Sequence, residues 1–361
     1  MSDPPPDFAN LSEAELKLIH ALQINPRVSW TSAGAALAVD PSTASRTWQG
    51  LSASGRAWVS ASPRSAASEA PLIAFIEMSC RIGTADTVAA DLADQPWAAT
   101  IERTTGSRDL LVSGMVTDLS ALAALVSNEL EAIDGVEGTR VQVATFVAAE
   151  GAGWRLHALS AEAIRKLSDQ RPAVQARPVR VDHHDTALLR ELGRDGRMGY
   201  SEIASRTGLG ISTIRRRVQR LIATSTVSLR CEVAQPLSGW PVSAALWCRV
   251  PPARLGQVMS GFSGMPEIRL CASVTGGPAN LLLALWLRSP ADLQRLEALV
   301  GERLPDLDVM DRALTLRHVK RMGRILDSRG RAVGVVPVVP RTPSHLVEAT
   351  DVAEAAMLTF E

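Results

Sequence analysis

The stretch GISTIRRRVQRL, residues 210–221, contains four arginines within six residues. With 100° per residue in a helix, its apolar residues fall on one side. That apolar stripe is formed by Ile211, Ile214, Val218 and Leu221. The remaining surface carries hydroxyl and guanidinium groups, with Arg215 and Arg217 at the edges of the stripe. The pattern therefore predicts a surface helix that packs on a core with one side and presents cations on the other.

Two shorter helical patterns precede this stretch, over residues 182–192 and 200–206, and the turn TGLG separates the second from it. Three helices with a tight turn before the last are typical of a helix-turn-helix, whose final helix enters the major groove of DNA. Guanidinium groups pair there with guanine edges or phosphates, and hydroxyls hold the backbone. We therefore predict that double-stranded DNA is bound by Ser212, Thr213, Arg215, Arg216, Arg217 and Arg220. The alternative is a solvated basic face without a partner.

The chain resembles itself at an offset of 170 residues, which slips to 171 after Gly106. The matching pairs include Leu18 with Leu188, Arg27 with Arg197, Trp30 with Tyr200, Arg46 with Arg216, and Leu51 with Leu221. The offset predicts a first set of three helices starting near Ser12, Thr31 and Pro41. Ser12 followed by Glu15 fits a capping box, and proline suits the first turn of a helix.

The third helix of the first copy has the same pattern of apolar and hydroxyl residues as its counterpart, but fewer positive charges. Ser42, Thr43 and Arg46 face outward as candidate DNA contacts, but Gly50 stands where the second copy has Arg220. Fewer phosphate contacts weaken binding. Two interpretations stay open: this copy binds DNA weakly, or it serves as a structural or dimer-forming unit.

After each helical set the apolar period changes, and the order strand, helix, strand, strand, helix, strand follows twice. This order predicts the ferredoxin-like βαββαβ plan. The fold class expected is α+β, a winged-helix or helix-turn-helix domain followed by a βαββαβ domain, with the pair present twice. The expected boundaries are 11–62 and 70–150 for the first pair, 151–180 for a linker, 181–232 and 240–325 for the second pair, and 330–361 for a C-terminal tail. A short helix is expected within that tail, over HLVEATDVAEAAML.

VDHHDTALLRELGRDGRMGYSEIASRTGLGISTIRRRVQRL, followed by a βαββαβ segment containing VTGGPANLLLALW, resembles the Lrp/AsnC (feast/famine) family of transcription regulators. The resemblance covers about residues 12–147 and 181–320. It implies a DNA-binding regulator that pairs through its βαββαβ sheets, so this chain resembles two such subunits fused in tandem. A homo-oligomer of such chains is a further implication.

The resemblance also implies that a small effector, often an amino acid, binds near a turn after the second strand of each βαββαβ unit. The matching residues are Thr105, Gly106 and Asp109 in the first copy, and Thr275, Gly276, Gly277 and Asn280 in the second. Glycine exposes backbone amides that can meet a carboxylate, and Asp109 can receive an ammonium group. The second turn lacks an acid, which departs from amino-acid sensing. A plain hairpin turn is the alternative for both.

Composition limits the remaining possibilities. The 361 residues have a formal net charge of zero, so any basic surface is local, and the four scattered cysteines predict buried thiols without a zinc site or disulfide frame. Neither a secretion signal nor a membrane-length apolar run is visible, so we expect a cytoplasmic protein. We predict no enzyme activity, cofactor or metal, because no P-loop, metalloprotease, nucleophile-elbow or dinucleotide motif occurs. Two other classes of protein stay open. One is a siroheme decarboxylase-like enzyme on the same fold, for which His318 is the only strand histidine. The other is a regulator-derived partner protein that does not bind DNA.

Overall fold

A computed structural model describes residues 11–64, 71–171 and 181–343, so the expected helix in the tail lies outside the described residues. The first three helices begin where the sequence predicts. Ser12 and Glu15 form the capping box at the start of α1, and Pro41 opens α3. Each set of helices is followed by a wing strand. The first set comprises α1 (Glu13–Ile24), α2 (Trp30–Leu37), α3 (Pro41–Ala53) and strand β1 (Ala57–Pro63).

Each βαββαβ unit follows its helical set. The first contains β2 (Leu72–Cys80), α4 (Ala85–Ala93), β3 (Ala98–Thr104), β4 (Leu110–Val116), α5 (Leu119–Ala124) and β5 (Val136–Ala149). The amphipathic pattern after residue 119 predicts one long helix, but α5 passes into a π-helical segment, Leu125–Leu130. That wider turn keeps Leu125 and Leu130 both buried against the sheet.

The second half repeats the order of elements after helix α6 (Ala161–Ser168). Its helical set is α7 (His183–Arg194), α8 (Tyr200–Thr207) and α9 (Ile211–Ala223), with wing strand β6 (Val227–Val233). Its βαββαβ unit is β7 (Val242–Arg249), α10 (Leu255–Gly261), β8 (Ile268–Thr275), β9 (Leu281–Leu287), α11 (Ala291–Arg303) and β10 (Asp308–Arg321). Two short strands, β11 (Arg324–Leu326) and β12 (Ala332–Val335), extend the sheet beyond β10.

The two βαββαβ sheets join at both edges into a closed ring of eight strands. Strand β5 pairs with β8, and β10 pairs with both β3 and β7. The last strand of each unit therefore pairs with the second strand of the other. An apolar layer that includes Phe75, Trp247 and Leu282 fills the space between the sheets. Closure of the ring leaves these eight strands without free edges.

The two helical sets are also tied to each other. Wing strands β1 and β6 pair antiparallel along their whole length. Arg27 donates to the carbonyl oxygens of Gly196 and Met198, at 2.6 and 3.0 Å. In reciprocal fashion, Arg197 donates to the carbonyls of Pro26 and Val28, at 2.6 and 2.9 Å. We call this pair of arginines the clasp.

The predicted linker, 151–180, is wrong over its described part. Residues 151–171 contain a 3-10 turn and α6, and Trp154 and Leu167 are buried in the core of the first helical set. Apolar side chains at these positions gain free energy by packing on α1, so the segment folds. The start of the predicted tail is likewise packed, because Val338 is buried and β12 pairs with β11. No helix in the described ranges is long and apolar enough to span a bilayer.

Candidate nucleic-acid interface

Helix α9 is anchored by Ile214, Val218 and Leu221, which are fully buried among the side chains of α7 and α8. Its N-cap is Gly210, so no side chain occupies the amide groups of its first turn. Ser212 is exposed and Thr213 half-buried at that end. Ile211, predicted for the apolar stripe, is instead 49% exposed, because it lies before the first buried turn. Hydroxyls, free amides and the positive end of the helix dipole thus lie together on the surface.

Two of the predicted DNA-binding arginines are engaged within the protein. Arg217 pairs with Asp182 and Asp185 at 2.8 and 2.9 Å, and Arg220 pairs with the other oxygen of Asp185. The Asp185 side chain is fully buried, so removing either arginine leaves its charge partly uncompensated. Burial raises the pKa of Asp182, but the hydrogen bond from the Asp185 amide and the Arg217 guanidinium outweigh it and hold that pKa at about 2. These arginines therefore fix the start of α7 against α9.

The remaining two arginines are available to a partner. Arg216 is exposed and forms no ion pair with any described residue. Arg215 is exposed and lies over the ring of Tyr200, with 5.6 Å from its guanidinium carbon to the ring centroid. Of the four arginines predicted on α9, Arg215 and Arg216 are thus the ones that the fold presents outward without a carboxylate partner among the described residues.

Helix α3 presents a different N-terminus. Ala44, Trp48 and Leu51 are buried, while Ser42, Thr43 and Arg46 are exposed, as predicted. Its N-cap, however, is Asp40, whose carboxylate accepts from the Ser42 amide at 2.8 Å. Hydrogen bonds from Ser42 hold the pKa of Asp40 below its ordinary value, so a negative charge stands where α9 has Gly210. The sequence contained this signal, since Asp40 and Gly210 are matched at the offset of 170.

The predicted effector turns have structural partners. Asp109 accepts a hydrogen bond from the Cys80 amide at 2.8 Å, and Asn280 bonds both to the amide and to the carbonyl of Val250. Both side chains thus join the turn to the end of the first strand of their own unit. The carboxylate of Asp109 stabilises the strand end, which is a role that the turn motif did not predict.

The turn glycines make room for the other unit. Gly106 and Gly276 have positive φ, and a Cβ on Gly276 would lie 2.7 Å from the carbonyl oxygen of Val141 in β5. A Cβ on Gly277 would lie 2.4 Å from the Gln142 amide group. Thr105 exchanges hydrogen bonds with Leu314 of β10, whereas Thr275 is exposed at the end of β8. Close packing between the two units therefore explains why glycine occupies these turn positions.

The structure also contains a buried charged cluster that was not predicted from the sequence. Glu232 accepts two hydrogen bonds from Arg269, and Arg230 and Arg321 lie within 3.8 Å of its carboxylate. Close by, His318 pairs with Glu102 at 3.1 Å. The residues come from β3, β6, β8 and β10, so they meet only where wing strand β6 packs against the closed ring. No spacing along the chain signals this cluster.

The cysteines are as predicted: all four are buried and free. Burial raises the pKa of Cys248 and Cys271 to about 12, so these thiols are protonated at neutral pH. Within the described residues, no group of three or more histidine, cysteine or acidic side chains is arranged to hold a metal ion.

Comparison with known families identifies two segments. Residues 181–222 match the AsnC-type helix-turn-helix domain, and residues 73–149 match the Lrp/AsnC ligand binding domain. One match falls in each half of the chain, and together they represent each type of domain once.

Among curated proteins, the chain is 33% identical over 151 residues to an uncharacterized HTH-type transcriptional regulator of Pyrococcus abyssi, which is 41% of this chain and 93% of that protein. It is 30% identical over 105 residues to the HTH-type transcriptional regulator LrpA of Mycobacterium tuberculosis, covering 28% of this chain and 70% of the relative. Each relative thus corresponds to less than half of the present chain.

Among solved structures, the siroheme decarboxylase NirDL in complex with an iron-uroporphyrin III analogue superposes over 85% of this chain and 93% of its own, with a TM-score of 0.55. Sequence identity is 12%, so the likeness concerns the fold alone. It extends over both halves of the chain.

Proposed function

This chain belongs to the Lrp/AsnC family of HTH-type transcriptional regulators, and from that premise we propose that it binds specific DNA through helix α9. The observation that supports α9 most strongly is its exposed end, where Arg215, Arg216, Ser212 and Thr213 surround an N-terminus without a capping side chain. Helix N-termini bind phosphate, and arginine forks bind guanine or phosphate. In this proposal α9 lies in the major groove.

The six candidates on α9 divide into two roles. Ser212, Thr213, Arg215 and Arg216 contact DNA directly. Arg217 and Arg220 position the helix, since their pairing with Asp182 and Asp185 holds α7 against α9. Ser42, Thr43 and Arg46 of α3 contribute less, because the Asp40 carboxylate at that N-terminus repels phosphate.

We also propose that the chain is a tandem fusion of two family units. The repeated order of elements, the ring of eight strands and the reciprocal clasp all support this origin. A single chain then has the architecture of a dimer, with the two helical sets held side by side. Assembly of such chains into larger homo-oligomers is part of the proposal, and sedimentation of the purified protein measures it.

A small-molecule effector completes the proposed function. The match to a ligand binding domain supports it. Under the family resemblance the candidates remain Thr105, Gly106, Asp109, Thr275, Gly276, Gly277 and Asn280. A panel of amino acids in a thermal-shift assay, repeated on Asp109→Asn, tests these turns directly. A ligand that binds there raises the melting temperature of the native chain and not of the variant.

The DNA proposal is tested by gel shift over the promoter region of the chain's own gene, at stated salt, with a random-sequence competitor. A sequence-selective shift that is lost in Arg216→Ala is the expected result. If no selective shift occurs there, and none after selection from a random DNA pool, the DNA proposal fails and the partner-protein alternative replaces it.

The whole-chain fold match to NirDL favours one further candidate, a tetrapyrrole enzyme. His318 lies in a cavity of about 150 Å³, and benzene fills an apolar cavity of that size, so a macrocycle does not fit beside it. His157 lines a wider groove of about 640 Å³ at the surface. Titration with siroheme distinguishes the two functions: a shifted Soret band and release of carbon dioxide support the enzyme, and unchanged spectra support the regulator.

A further inference from the structure

One end of the eight-stranded ring contains a cavity of about 150 Å³ that the effector turns do not border. Strand β6, the wing that follows α9, contributes Arg230 and Glu232 to its wall. Arg269 of β8 and Arg321 of β10 complete the charged side. The cavity therefore lies where the ring meets the paired helical sets.

The charged side of this cavity has more hydrogen-bond donors than acceptors. Arg321 donates through Nη2 to the Val233 carbonyl at 2.6 Å, but its Nε and Nη1 have no hydrogen-bond partner among the described residues. The Nε atom of Arg230 is likewise unpaired there. The side chains of Arg230 and Arg321 are only 7% and 6% exposed. Buried guanidinium donors without partners are costly, and native structures normally satisfy them with water or a ligand.

The acceptors nearby are already engaged. Glu232 accepts from Arg269, and Glu102 accepts from Thr315 at 2.8 Å and pairs with His318. Glu150, the third carboxylate of the lining, pairs with Arg230 and Arg64. An ammonium group would find all three carboxylates occupied, whereas an anion would find the unpaired guanidinium donors. The opposite wall is apolar and includes Phe75, Met115 and Leu270, so it suits a hydrocarbon body.

Most of the charged residues have no charged counterpart at the matched position of the other half. At the offsets that match the two halves, Arg269 corresponds to Ala99, Glu102 to Ala272, and His318 to Val147. Arg321 is the exception, because it corresponds to Glu150, which lines the same cavity. Glu232 and Arg230 correspond to Ser62 and Ser60. Apart from Arg321, each of these charged residues thus matches a small or apolar residue in the other half. Most of the charges are therefore an addition to the shared fold rather than a requirement of it.

We propose that this cavity binds a small monocarboxylate with an apolar body of about the size of benzene, and that the carboxylate is held by Arg321 and Arg230. A cavity of this volume accommodates benzene, which sets the size of the ligand. Charge-assisted hydrogen bonds from arginine to a carboxylate are the strongest available to such a ligand. The inference rests on the effector part of the proposed function and adds a second candidate site, at the ring end.

The position of the cavity couples it to DNA binding. Arg230 and Glu232 lie on the strand that continues from α9, and Arg321 holds the Val233 carbonyl of the same strand. A carboxylate that draws Arg321 and Arg230 together alters the contacts of β6, and with them the placement of α9 relative to α3.

Isothermal titration of the full chain with sodium benzoate tests the site, with benzamide as the neutral control of the same shape. We expect one saturable benzoate site per chain and at least tenfold weaker binding of benzamide. Arg321→Gln removes the anchoring donors and is expected to weaken benzoate at least tenfold. Ala284→Leu fills the apolar side of the cavity and leaves its charged residues unchanged. It should also weaken benzoate binding, so it tests the site if Arg321→Gln fails to fold.

Arg341→Gln is the matched control, because this arginine pairs with Glu129 away from the cavity, and benzoate should bind it as it binds the native chain. Equal binding of benzamide and benzoate, absence of saturable benzoate binding, or native affinity in Ala284→Leu would each overturn the proposal. The titration contains no DNA. Its failure therefore leaves DNA binding by α9 standing, and failure of the gel shift leaves the benzoate result standing.

Discussion

At the scale of single residues, Arg216 and Arg46 form a natural pair for measuring how unequal the two helical sets are. Both are exposed at matched positions of α9 and α3. We expect Arg216→Ala to weaken specific DNA binding by about 1–3 kcal/mol if it contacts a base through its fork. Arg46→Ala should cost less, since its helix starts with a carboxylate. Fluorescence anisotropy at fixed salt measures both, and equal losses would contradict the asymmetry.

Asp40 is the residue to which we attribute that asymmetry. Asn caps a helix about as well as Asp, so Asp40→Asn should leave the melting temperature nearly unchanged. The substitution removes the repulsion between the Asp40 carboxylate and a phosphate, which is about 1 kcal/mol for unit charges about 4 Å apart in water, so DNA affinity should rise up to about fivefold. The same anisotropy assay measures it. An unchanged affinity together with an unchanged melting temperature would show that the start of α3 does not face DNA.

At the scale of elements, α1 is joined to the segment before α6 by a buried histidine. The Nδ1 atom of His20 accepts from the amides of Ala158 and Leu159, both at 3.0 Å, so the imidazole must be neutral. Burial, with the charges of Arg155 and His157, lowers the pKa of His20 to about 4. In the unfolded chain it titrates near 6.5. Between these values the unfolded state binds the extra proton, so the histidine's contribution to stability declines as the pH falls from 6.5 to 4.

We therefore expect the native chain to lose about 1–3 kcal/mol of unfolding free energy through this group between pH 7 and pH 4.5. In His20→Asn, an amide oxygen accepts the same two hydrogen bonds and does not titrate. Urea unfolding at both pH values gives the two losses, and other groups cancel in the comparison. If the variant loses as much as the native chain, His20 is not the responsible group.

The elements were the most predictable part of the fold, because their signals are local. The capping box of Ser12, the proline that opens α3 and the alternation of the strands are all written within a few residues. The ion pairs of Arg217 and Arg220 could not be predicted, for the opposite reason. Their partner, Asp185, lies 35 residues before Arg220, and no helical angle reveals that it is buried beneath them. Helix α6 was missed because its apolar partners belong to α1 and α2, far away in the chain.

At the scale of the whole molecule, the way in which the two halves close on each other could not be predicted from the sequence. The offset of 170 predicted that Arg27 matches Arg197, but the reciprocal clasp requires the two sets to face each other. The charged cluster of the cavity needs β3 of the first unit, β8 and β10 of the second, and the wing strand β6. Both features depend on how the halves dock, which is determined by complementary surfaces rather than by periodicity.

The same docking makes a prediction about the halves of the chain. Separated at residue 175, the first half would expose the unpaired edges of β3 and β5, which in the intact chain bond to β10 and β8. It would also expose the apolar layer around Phe75 that Trp247 covers. Free edges and an open apolar face favour association. We therefore expect residues 1–175 and 176–361, when co-expressed with a tag on one half, to copurify as an equimolar complex. Expressed alone, each half should be insoluble or should self-associate. A first half that sediments as a stable, monodisperse monomer would show that the ring is not what holds the sheets together.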